Sequence, residues 1–428
     1  MSSQLIGFLC VLGMLGMIAI RMPIAMAMAI TGFMGFGLIV AFDPAVSILQ
    51  SSALSTLTNY SFSPIPMFIL MGVLASKARM SAELFHGAKS LFGSWRGGMA
   101  LAGVTSCGVF SAISGSSLAT AASMSKVALP EMKKQGYADS LATGTIAAGG
   151  TLGIMIPPSI ALLLYALLTE QSVGDMFIAG IVPGLLGLFL YLAVIAIMVA
   201  WKPHLATPGE ATSFKEKLLG LKGLVPFGLI FALIIGGIYT GIFTPTEAAS
   251  VGAFGALIIA LVRGMGWRDF FDAVRETLVV SAMIFFMVIG AEIFGYFLSV
   301  SRISFAMVEL VSSLDMTPFM ILLAILLLYV LLGMVMDSIA MLLLTVPVVF
   351  PLAMQAGFDP IWFGIVTVLT VELGLITPPI GMNVFVIKSV APKVKITDIF
   401  IGVIPFVVSD LVRLALLIAF PVLALGLI

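Results

Sequence analysis

Apolar stretches of about 20 residues or more follow one another along this chain from end to end. At about 1.5 Å of helix rise per residue, each is long enough to cross a hydrocarbon core of about 30 Å. Of 428 residues, 61% are hydrophobic and only 9% are charged, too few for the polar surface of a water-soluble globule. The sequence therefore predicts an all-α polytopic, multi-pass membrane protein whose main solvent is the lipid bilayer.

Few side chains are available for metal binding or catalysis. The two cysteines, Cys10 and Cys107, lie far apart in apolar segments, and the two histidines are His86 and His204. Neither a disulfide framework nor a zinc site is predicted. Zincin, Walker, serine-elbow and Rossmann patterns are missing from the sequence. The formal net charge of +0 gives no reason to expect nucleic acid. We expect no cofactor and no enzymatic activity.

The positions of Lys and Arg predict the topology, because segments rich in these residues face the cytoplasm. They are Arg21 and residues 77–96, 126–134, 202–222, 263–275 and 388–395. Between them lie four segments without Lys or Arg, residues 43–63, 169–175, 239–248 and 355–360. We expect these four on the periplasmic side. The same alternation places both termini in the periplasm.

Two long apolar stretches begin and end on the same side of the membrane, so neither is a single spanning helix. Residues 98–129 have basic flanks and a polar break at 111–117. Residues 317–352 have charge-poor flanks and a break at 333–338. Each is predicted as a re-entrant helical hairpin, the first opening to the cytoplasm and the second to the periplasm. Because irregular backbone at membrane depth must be buried in protein or line a watery cavity, the two tips are candidate sites.

The two halves of the chain are copies of each other at a shift of 221 positions, which separates Pro130 from Pro351. The same shift superposes residues 152–158 on residues 373–379, where Leu, Gly and both prolines of a Pro-Pro pair coincide. Because the predicted topology reverses between the copies, the repeats are inverted. Inverted repeats are found in many secondary transporters.

In each copy the hairpin is followed by an apolar segment that contains Gly-x-x-x-Pro-Pro, residues 138–168 and residues 361–388. Proline lacks an amide donor and disfavours helix in the preceding residue, so each segment is predicted to be a broken transmembrane helix. The carbonyl groups freed there are candidate ligands of a hard cation; they belong to Gly153, Ile154 and Ile156, and to Gly374, Ile376 and Thr377. A packed proline kink is the alternative, and the symmetry of the two breaks argues against it.

These features divide the chain into four parts. Residues 1–61 are predicted as N-terminal scaffold helices, and residues 62–201 as the first inverted repeat. Residues 202–275 are predicted as a cytoplasmic connector with further scaffold helices, and residues 276–428 as the second inverted repeat.

In order and spacing, several short motifs resemble those of the DctM-like large (M) subunits of tripartite ATP-independent periplasmic (TRAP) transporters. They are Phe110-Ser-Ala-Ile-Ser-Gly-Ser-Ser117, Gly153-Ile-Met-Ile-Pro-Pro-Ser159, Ala179-Gly-Ile-Val-Pro-Gly184, Gly241-Ile-Phe-Thr-Pro-Thr-Glu-Ala248, Gly333-Met-Val-Met-Asp337 and Thr377-Pro-Pro-Ile-Gly381. The resemblance implies an elevator-type ion transporter fold and sodium-coupled uptake of an organic acid across the bacterial inner membrane. It also implies two partners, a small DctQ-like membrane subunit (Q) and a periplasmic substrate-binding protein (P). A stand-alone ion-coupled anion carrier or a channel is the alternative.

The resemblance further implies two sodium sites, each between a hairpin tip and the neighbouring broken helix, with sodium as the only metal. By motif, the first site would use Ser111, Ser114, Gly153, Ile156 and Pro157. The second would use Gly333, Asp337, Gly374 and Thr377. Carbonyl, hydroxyl and carboxylate oxygens suit a hard cation. Ser116 stands where the second copy has Asp337, so the two sites need not bind equally tightly. Tentative substrate contacts are Ser116, Thr120, Ser159 and Asn383.

Other polar residues have predicted roles, and two of them have two possible roles each. Glu372 either supports the second ion site or faces a cavity, and Asn383 bonds either to a substrate carboxylate or to a neighbouring helix. Glu247 is expected to stabilise the start of a helix. Asp410 and Arg413 are three positions apart on the last long helix and are expected to pair.

Overall fold

The computed structural model describes residues 3–209, 214–303 and 316–428, together with positions 306 and 309. Within these ranges the chain is helical apart from short connections and one isolated β-bridge between Arg96 and Pro208. Seven of the described helices are long and apolar enough to cross a membrane, or eight spans if one bent pair is counted with them. The protein is therefore an all-α, multi-pass membrane protein.

The helices before the middle of the chain are α1 (Ser3–Ala19), α2 (Ile24–Ile39), α3 (Phe42–Thr58), α4 (Pro64–Lys77), α5 (Met80–Phe92), α6 (Gly98–Ser114), α7 (Ser117–Lys134), α8 (Asp139–Met155), α9 (Ile160–Leu168) and α10 (Val173–Trp201). Those that follow are α11 (Phe214–Tyr239), α12 (Pro245–Val262), α13 (Trp267–Ser301), α14 (Pro318–Gly333), α15 (Ser338–Gln355), α16 (Pro360–Ile376), α17 (Met382–Val390), α18 (Ile396–Ala419) and α19 (Val422–Leu425).

The shift of 221 positions also relates helix boundaries. Both ends of α7 map onto both ends of α15, and both ends of α8 map onto both ends of α16. The first residue of α2 maps in the same way onto that of α12. The repeat therefore extends into the predicted scaffold segments 1–61 and 202–275, beyond the predicted bounds 62–201 and 276–428. The apolar composition of these helices hides their correspondence in the sequence.

The first hairpin consists of α6 and α7. Gly115 ends α6 with a φ of 61°, a left-handed conformation that glycine adopts without steric cost, and the Ser116 side chain caps the start of α7. The helices are antiparallel, because a β-carbon added at Gly103 would lie 2.9 Å from the side chain of Met132. The hairpin ends at Lys134 and not at 129 as predicted, since Glu131 pairs with Lys89 and Lys134 and extends the last turn.

The second hairpin consists of α14 and α15. Across it, the Thr345 hydroxyl donates to the Tyr329 hydroxyl at 2.9 Å, which shows that these helices are also antiparallel. Asp337 caps the start of α15. This hairpin spans 318–355, three residues beyond its predicted end at 352, and the prolines at 347 and 351 both lie inside α15.

The two broken helices are interrupted at their Pro-Pro pairs, as the sequence predicts. Between α8 and α9 the Pro157–Pro158 peptide is cis, and between α16 and α17 the Pro378–Pro379 peptide is cis. The first segment covers 139–168, and the second covers 360–390, close to the predicted ranges 138–168 and 361–388.

The open ends of the two hairpins lie at opposite ends of the molecule. At the open end of the first hairpin, two basic segments meet. The backbones of Arg96 and Pro208 form a β-bridge, and the Ala138 amide donates to the Leu205 carbonyl at 3.0 Å. At the other end, segments 60–64, 171–175 and 239–246 line one depression. Gln355, where the second hairpin opens, lies beside Asn59 and Glu170 at this same end. The two repeats are therefore inverted.

Candidate functional site

The tip of the first hairpin lies directly against the first broken helix. A β-carbon added at Gly153 would lie 2.4 Å from Cβ and 3.2 Å from Oγ of Ser111, so any larger residue would push the tip away. Pro157, four residues on, has no N–H for the Gly153 carbonyl, and the Ile156 N–H donates to the Leu152 carbonyl at 3.1 Å. The Ser111 hydroxyl, which donates to Gly108, and the Gly153 peptide thus lie close together.

The rest of the first site is enclosed by neighbouring helices. Ser114 Oγ lies 2.7 Å from Thr120 Oγ1, which joins the two sides of the tip. A β-carbon at Gly72 of α4 would lie 2.8 Å from the Ser114 Cα. Behind the break, a β-carbon at Gly184 of α10 would lie 2.9 Å from Ile156, and one at Gly180 would lie 2.7 Å from the Met155 carbonyl.

The sequence reasoning did not identify these supporting glycines as part of the site. The spacing Gly180-x-x-x-Gly184 was the available signal, because small residues four apart allow close helix packing in membranes. Gly72 and Ser76 have the same small-residue spacing, but the contact of Gly72 with the tip follows only from the tertiary structure.

In the second site, the backbone of the broken helix at Gly374 contacts the backbone of the hairpin at Gly333. A β-carbon added at Gly374 would lie 2.7 Å from the Gly333 Cα and 3.1 Å from the Val330 carbonyl. The Thr377 N–H donates to the Gly374 carbonyl at 3.2 Å, and the Thr377 hydroxyl donates to the Leu373 carbonyl at 2.5 Å. The second broken helix therefore ends in a turn that its own side chain tightens.

Asp337 lies at the tip of the second hairpin and is half-buried. Its Oδ2 accepts a hydrogen bond from the Ile339 N–H at 3.1 Å, at the positive end of the α15 dipole. A carboxylate accepts more than one such contact, so this bond leaves oxygen lone pairs for a cation.

The predicted substrate contacts all have partners within the protein. Ser116 Oγ accepts from the Ala119 N–H at 3.3 Å, Thr120 bonds to Ser114, and the buried Ser159 accepts from the Leu162 N–H at 3.2 Å. The fully buried Asn383 donates to the Ala147 carbonyl at 3.1 Å. It therefore forms the helix-helix hydrogen bond that was one of its two predicted roles. Their contact with substrate remains a prediction.

The other polar residues are placed as follows. Glu247 forms a capping box with Thr244 at the start of α12, as expected. Arg413 pairs with Asp410, whose Oδ1 lies 3.5 Å from Nη1, as expected. The side chain of Glu372 is 1% exposed and accepts a hydrogen bond from the Ile154 N–H at 3.0 Å, so it does not face a cavity.

A cavity of about 970 Å³ lies away from the first tip, between α3 and α13 on one side and α9 and α15 on the other. Its lining includes Glu170, Glu292 and Gln355, and no Lys or Arg among the described residues. Glu292 is held by the hydroxyl of Thr56 at 2.8 Å. This lining is unfavourable for an anion, so the cavity is a poor binding site for a carboxylate.

Comparison with known proteins agrees with this architecture. The family model described as the DctM component of the tripartite ATP-independent periplasmic transporter matches residues 11–423. The chain is similar to a C4-dicarboxylate TRAP transporter large permease protein DctM of Pseudomonas aeruginosa, with 37% identity over 84% of each chain. It is also similar to a sialic acid TRAP transporter large permease protein SiaM of Vibrio cholerae, with 31% identity over 96% of each.

Among solved structures, the chain is similar to the YdaH transporter of Alcanivorax borkumensis. The TM-score is 0.62, the sequence identity is 14%, and the match covers 88% of this chain and 90% of that one. At this identity, the likeness supports the fold.

Proposed function

Since the chain belongs to the DctM component family of tripartite ATP-independent periplasmic transporters, we propose that it is the large membrane subunit of a sodium-coupled organic acid transporter. In this proposal it carries the acid inward across the bacterial inner membrane and has no enzymatic activity. The observation that supports it most is that the equivalent glycines of the two broken helices each contact a hairpin tip, at Ser111–Gly153 and Gly333–Gly374.

Sodium coupling is supported by the chemistry of these two contacts. Each contact places hydroxyl or carbonyl oxygens beside a break where proline leaves helix carbonyls without their usual donor. Such hard oxygen ligands suit a small cation, and broken helices are the usual place for coupling ions in transporters with inverted repeats. Asp337 adds the single formal negative charge.

An elevator mechanism is supported by the close fit within each tip. Because Gly153 and Gly374 allow their hairpins to approach without intervening side chains, each tip and its broken helix are expected to move together. The remaining helices would then form the fixed scaffold; among them, α5 and α4 pack against the first hairpin and α13 packs against the second. We infer that sodium and the acid travel inside the moving body.

Two partners complete the proposal, a small DctQ-like subunit and a periplasmic substrate-binding protein. The word tripartite in the family description supports both. Exposed apolar side chains on the scaffold, such as Phe8, Leu54 and Phe254, are suited to lipid or to another membrane subunit. The substrate class follows from the similar proteins, which are described as transporters of C4-dicarboxylates and of sialic acid.

The test is uptake into proteoliposomes that contain this chain, its small subunit and its binding protein. We expect uptake of a radiolabelled acid that saturates with substrate, requires an inward sodium gradient and disappears when potassium replaces sodium. Omitting the binding protein should abolish uptake. Full activity of this chain alone would instead support a stand-alone carrier, and flux that does not saturate would support a channel. The solute that the partner binding protein binds should identify the acid to use.

A further inference from the structure

A buried polar network lies between the two broken helices, outside the oxygen groups of either proposed ion site. It contains Glu372 of α16, Asp410 and Arg413 of α18 and Tyr191 of α10, and none of these side chains is more than 1% exposed. Charged groups at this depth are costly unless they are paired and hydrogen-bonded, so such a cluster is a candidate for function.

The network closes on the first broken helix at two points. The Tyr191 hydroxyl donates to Asp410 Oδ2 at 2.5 Å and lies 3.2 Å from the Thr151 hydroxyl. Glu372 Oε1 accepts the hydrogen bond from the Ile154 N–H at 3.0 Å. Thr151 and Ile154 lie on adjacent turns at the end of α8, immediately before the Pro157 break.

The bond to Ile154 has a specific consequence for the first ion site. The Ile154 N–H and the Gly153 carbonyl belong to one planar trans peptide, in which they point in opposite directions. An acceptor that holds the N–H therefore fixes the direction of the carbonyl. That carbonyl is a proposed ion ligand, and it has no donor at Pro157 to orient it.

Glu372 belongs to the other repeat and is two residues before Gly374, at the contact of the second tip. Thr151, 221 positions earlier, is its counterpart in the first copy, so the two equivalent positions both take part in this network, and only the second bears a carboxyl group. A movement of the second broken helix at Gly374 therefore moves the acceptor that orients the Gly153 peptide.

We propose that Glu372 is a positioning residue that couples the two ion sites by orienting the Gly153–Ile154 peptide from the opposite repeat. The inference rests on the proposed sodium sites. Arg413 acts electrostatically on Glu372 from α18 and is anchored by Asp410. Gly187 of α10 leaves room for it, since a β-carbon there would lie 2.5 Å from Arg413 Nη1.

Two conservative variants separate the position of the acceptor from its charge. Glu372→Gln keeps an oxygen at the same reach and removes the charge. Glu372→Asp keeps the charge but shortens the side chain by one carbon, about 1.5 Å, which withdraws the acceptor from Ile154. In the complete reconstituted transporter we expect Glu372→Asp to raise the half-saturating sodium concentration about tenfold and to reduce the steepness of sodium activation towards one. Glu372→Gln should stay within about threefold of the wild type.

Further measurements distinguish positioning from a merely structural role. A structural defect lowers the amount of active transporter without moving the sodium titration of what remains. If Glu372→Asp yields too little protein for uptake, the thermal unfolding midpoint of both variants is measured in detergent with and without sodium. We expect the sodium-induced rise of this midpoint to be lost in Glu372→Asp and kept in Glu372→Gln. An unchanged sodium titration in Glu372→Asp, or an equal shift in both variants, would overturn the inference. A wild type without sodium dependence would instead overturn the proposed function.

Discussion

The two hairpin tips differ in charge at one pair of equivalent residues, Ser116 in the first and Asp337 in the second. Both side chains have the same structural role, because each is the N-cap of the helix that follows it. Serine and aspartate are about equally good at this position, so the cap alone does not require an acid. The additional charge of Asp337 is costly at membrane depth, and in the proposed second ion site it is the charge that attracts the cation.

The two breaks also differ in how they are ordered. At the second, the Gly374 carbonyl accepts from Thr377 at 3.2 Å and the Thr377 hydroxyl closes back on Leu373. At the first, the equivalent Ile156 donates to Leu152, and the Gly153 peptide is held from outside by Glu372. The proposed second site is therefore charged and ordered by its own residues, whereas the proposed first site is neutral and ordered by a residue of the other repeat. We expect the two to bind sodium unequally.

The opposite orientation of the hairpins predicts an all-or-none difference in labelling. With Cys10 and Cys107 replaced by serine and alanine, single cysteines at Lys134 and Gln355 mark the two open ends, and both positions are exposed. We expect a membrane-impermeant thiol reagent added outside intact spheroplasts to label position 355 and not 134, and the reverse in inverted vesicles. Labelling of both positions from the same side would contradict the inverted arrangement.

Asp337→Asn tests the charged tip. Asparagine keeps the oxygen and the helix cap and removes the charge, so the fold should persist. Losing one charge-assisted interaction of about 1.5–3 kcal/mol corresponds to a rise of at least tenfold in half-saturating sodium. Substrate affinity at saturating sodium should change far less. Sodium titrations of uptake in proteoliposomes give the answer, and a curve identical to wild type would remove Asp337 from the site.

Ser114→Ala tests the neutral tip. It removes the hydroxyl that lies 2.7 Å from Thr120, and we expect half-saturating sodium to rise about fivefold, from the loss of about 1 kcal/mol. Ser125→Ala is the matched control, because Ser125 is buried on the same hairpin and, among the residues that the structure describes, bonds only within its helix, to the Ala121 carbonyl at 2.5 Å. Equal effects of the two variants would show a general packing defect.

Ser116→Asp would give the two tips the same charge at their equivalent positions. Aspartate preserves the cap of α7 and brings a negative charge to the first site, so half-saturating sodium should fall about two- to threefold, from less than 1 kcal/mol of added attraction. The same uptake titration measures it, with Ser116→Asn as the uncharged control. A fall with asparagine as well would mean that the charge is not the cause.

Much of the fold follows from local sequence. The spacing of Pro-Pro pairs predicts where both transmembrane helices break, and the charge-poor and charge-rich segments predict which loops meet at each end. The ends of α7 and α15 were predicted five and three residues short, and the prolines at 130, 347 and 351 lie inside these helices. The chain-long repeat was underestimated, since uniformly apolar helices retain few identical residues.

The lateral contacts could not be predicted. A helix that is apolar on all sides gives no periodicity from which to infer its buried face, so neither the partner of Glu372 nor that of Asn383 was determined by sequence. For the same reason the sequence does not show that Gly72 approaches Ser114. Pairs on one helix, such as Asp410 and Arg413, were predicted because their spacing alone brings them together.

The inverted repeat has a consequence for the ancestry of the chain. Each copy starts on one side of the membrane and ends on the other. A second copy joined to the end of the first is therefore inserted in the opposite orientation. Before the fusion, a single half-length chain would have needed to insert in both orientations and assemble as an antiparallel pair. In a pair of identical chains the positions of Ser116 and Asp337 would have been one residue, and only after the duplication could one of them become charged while the other stayed neutral.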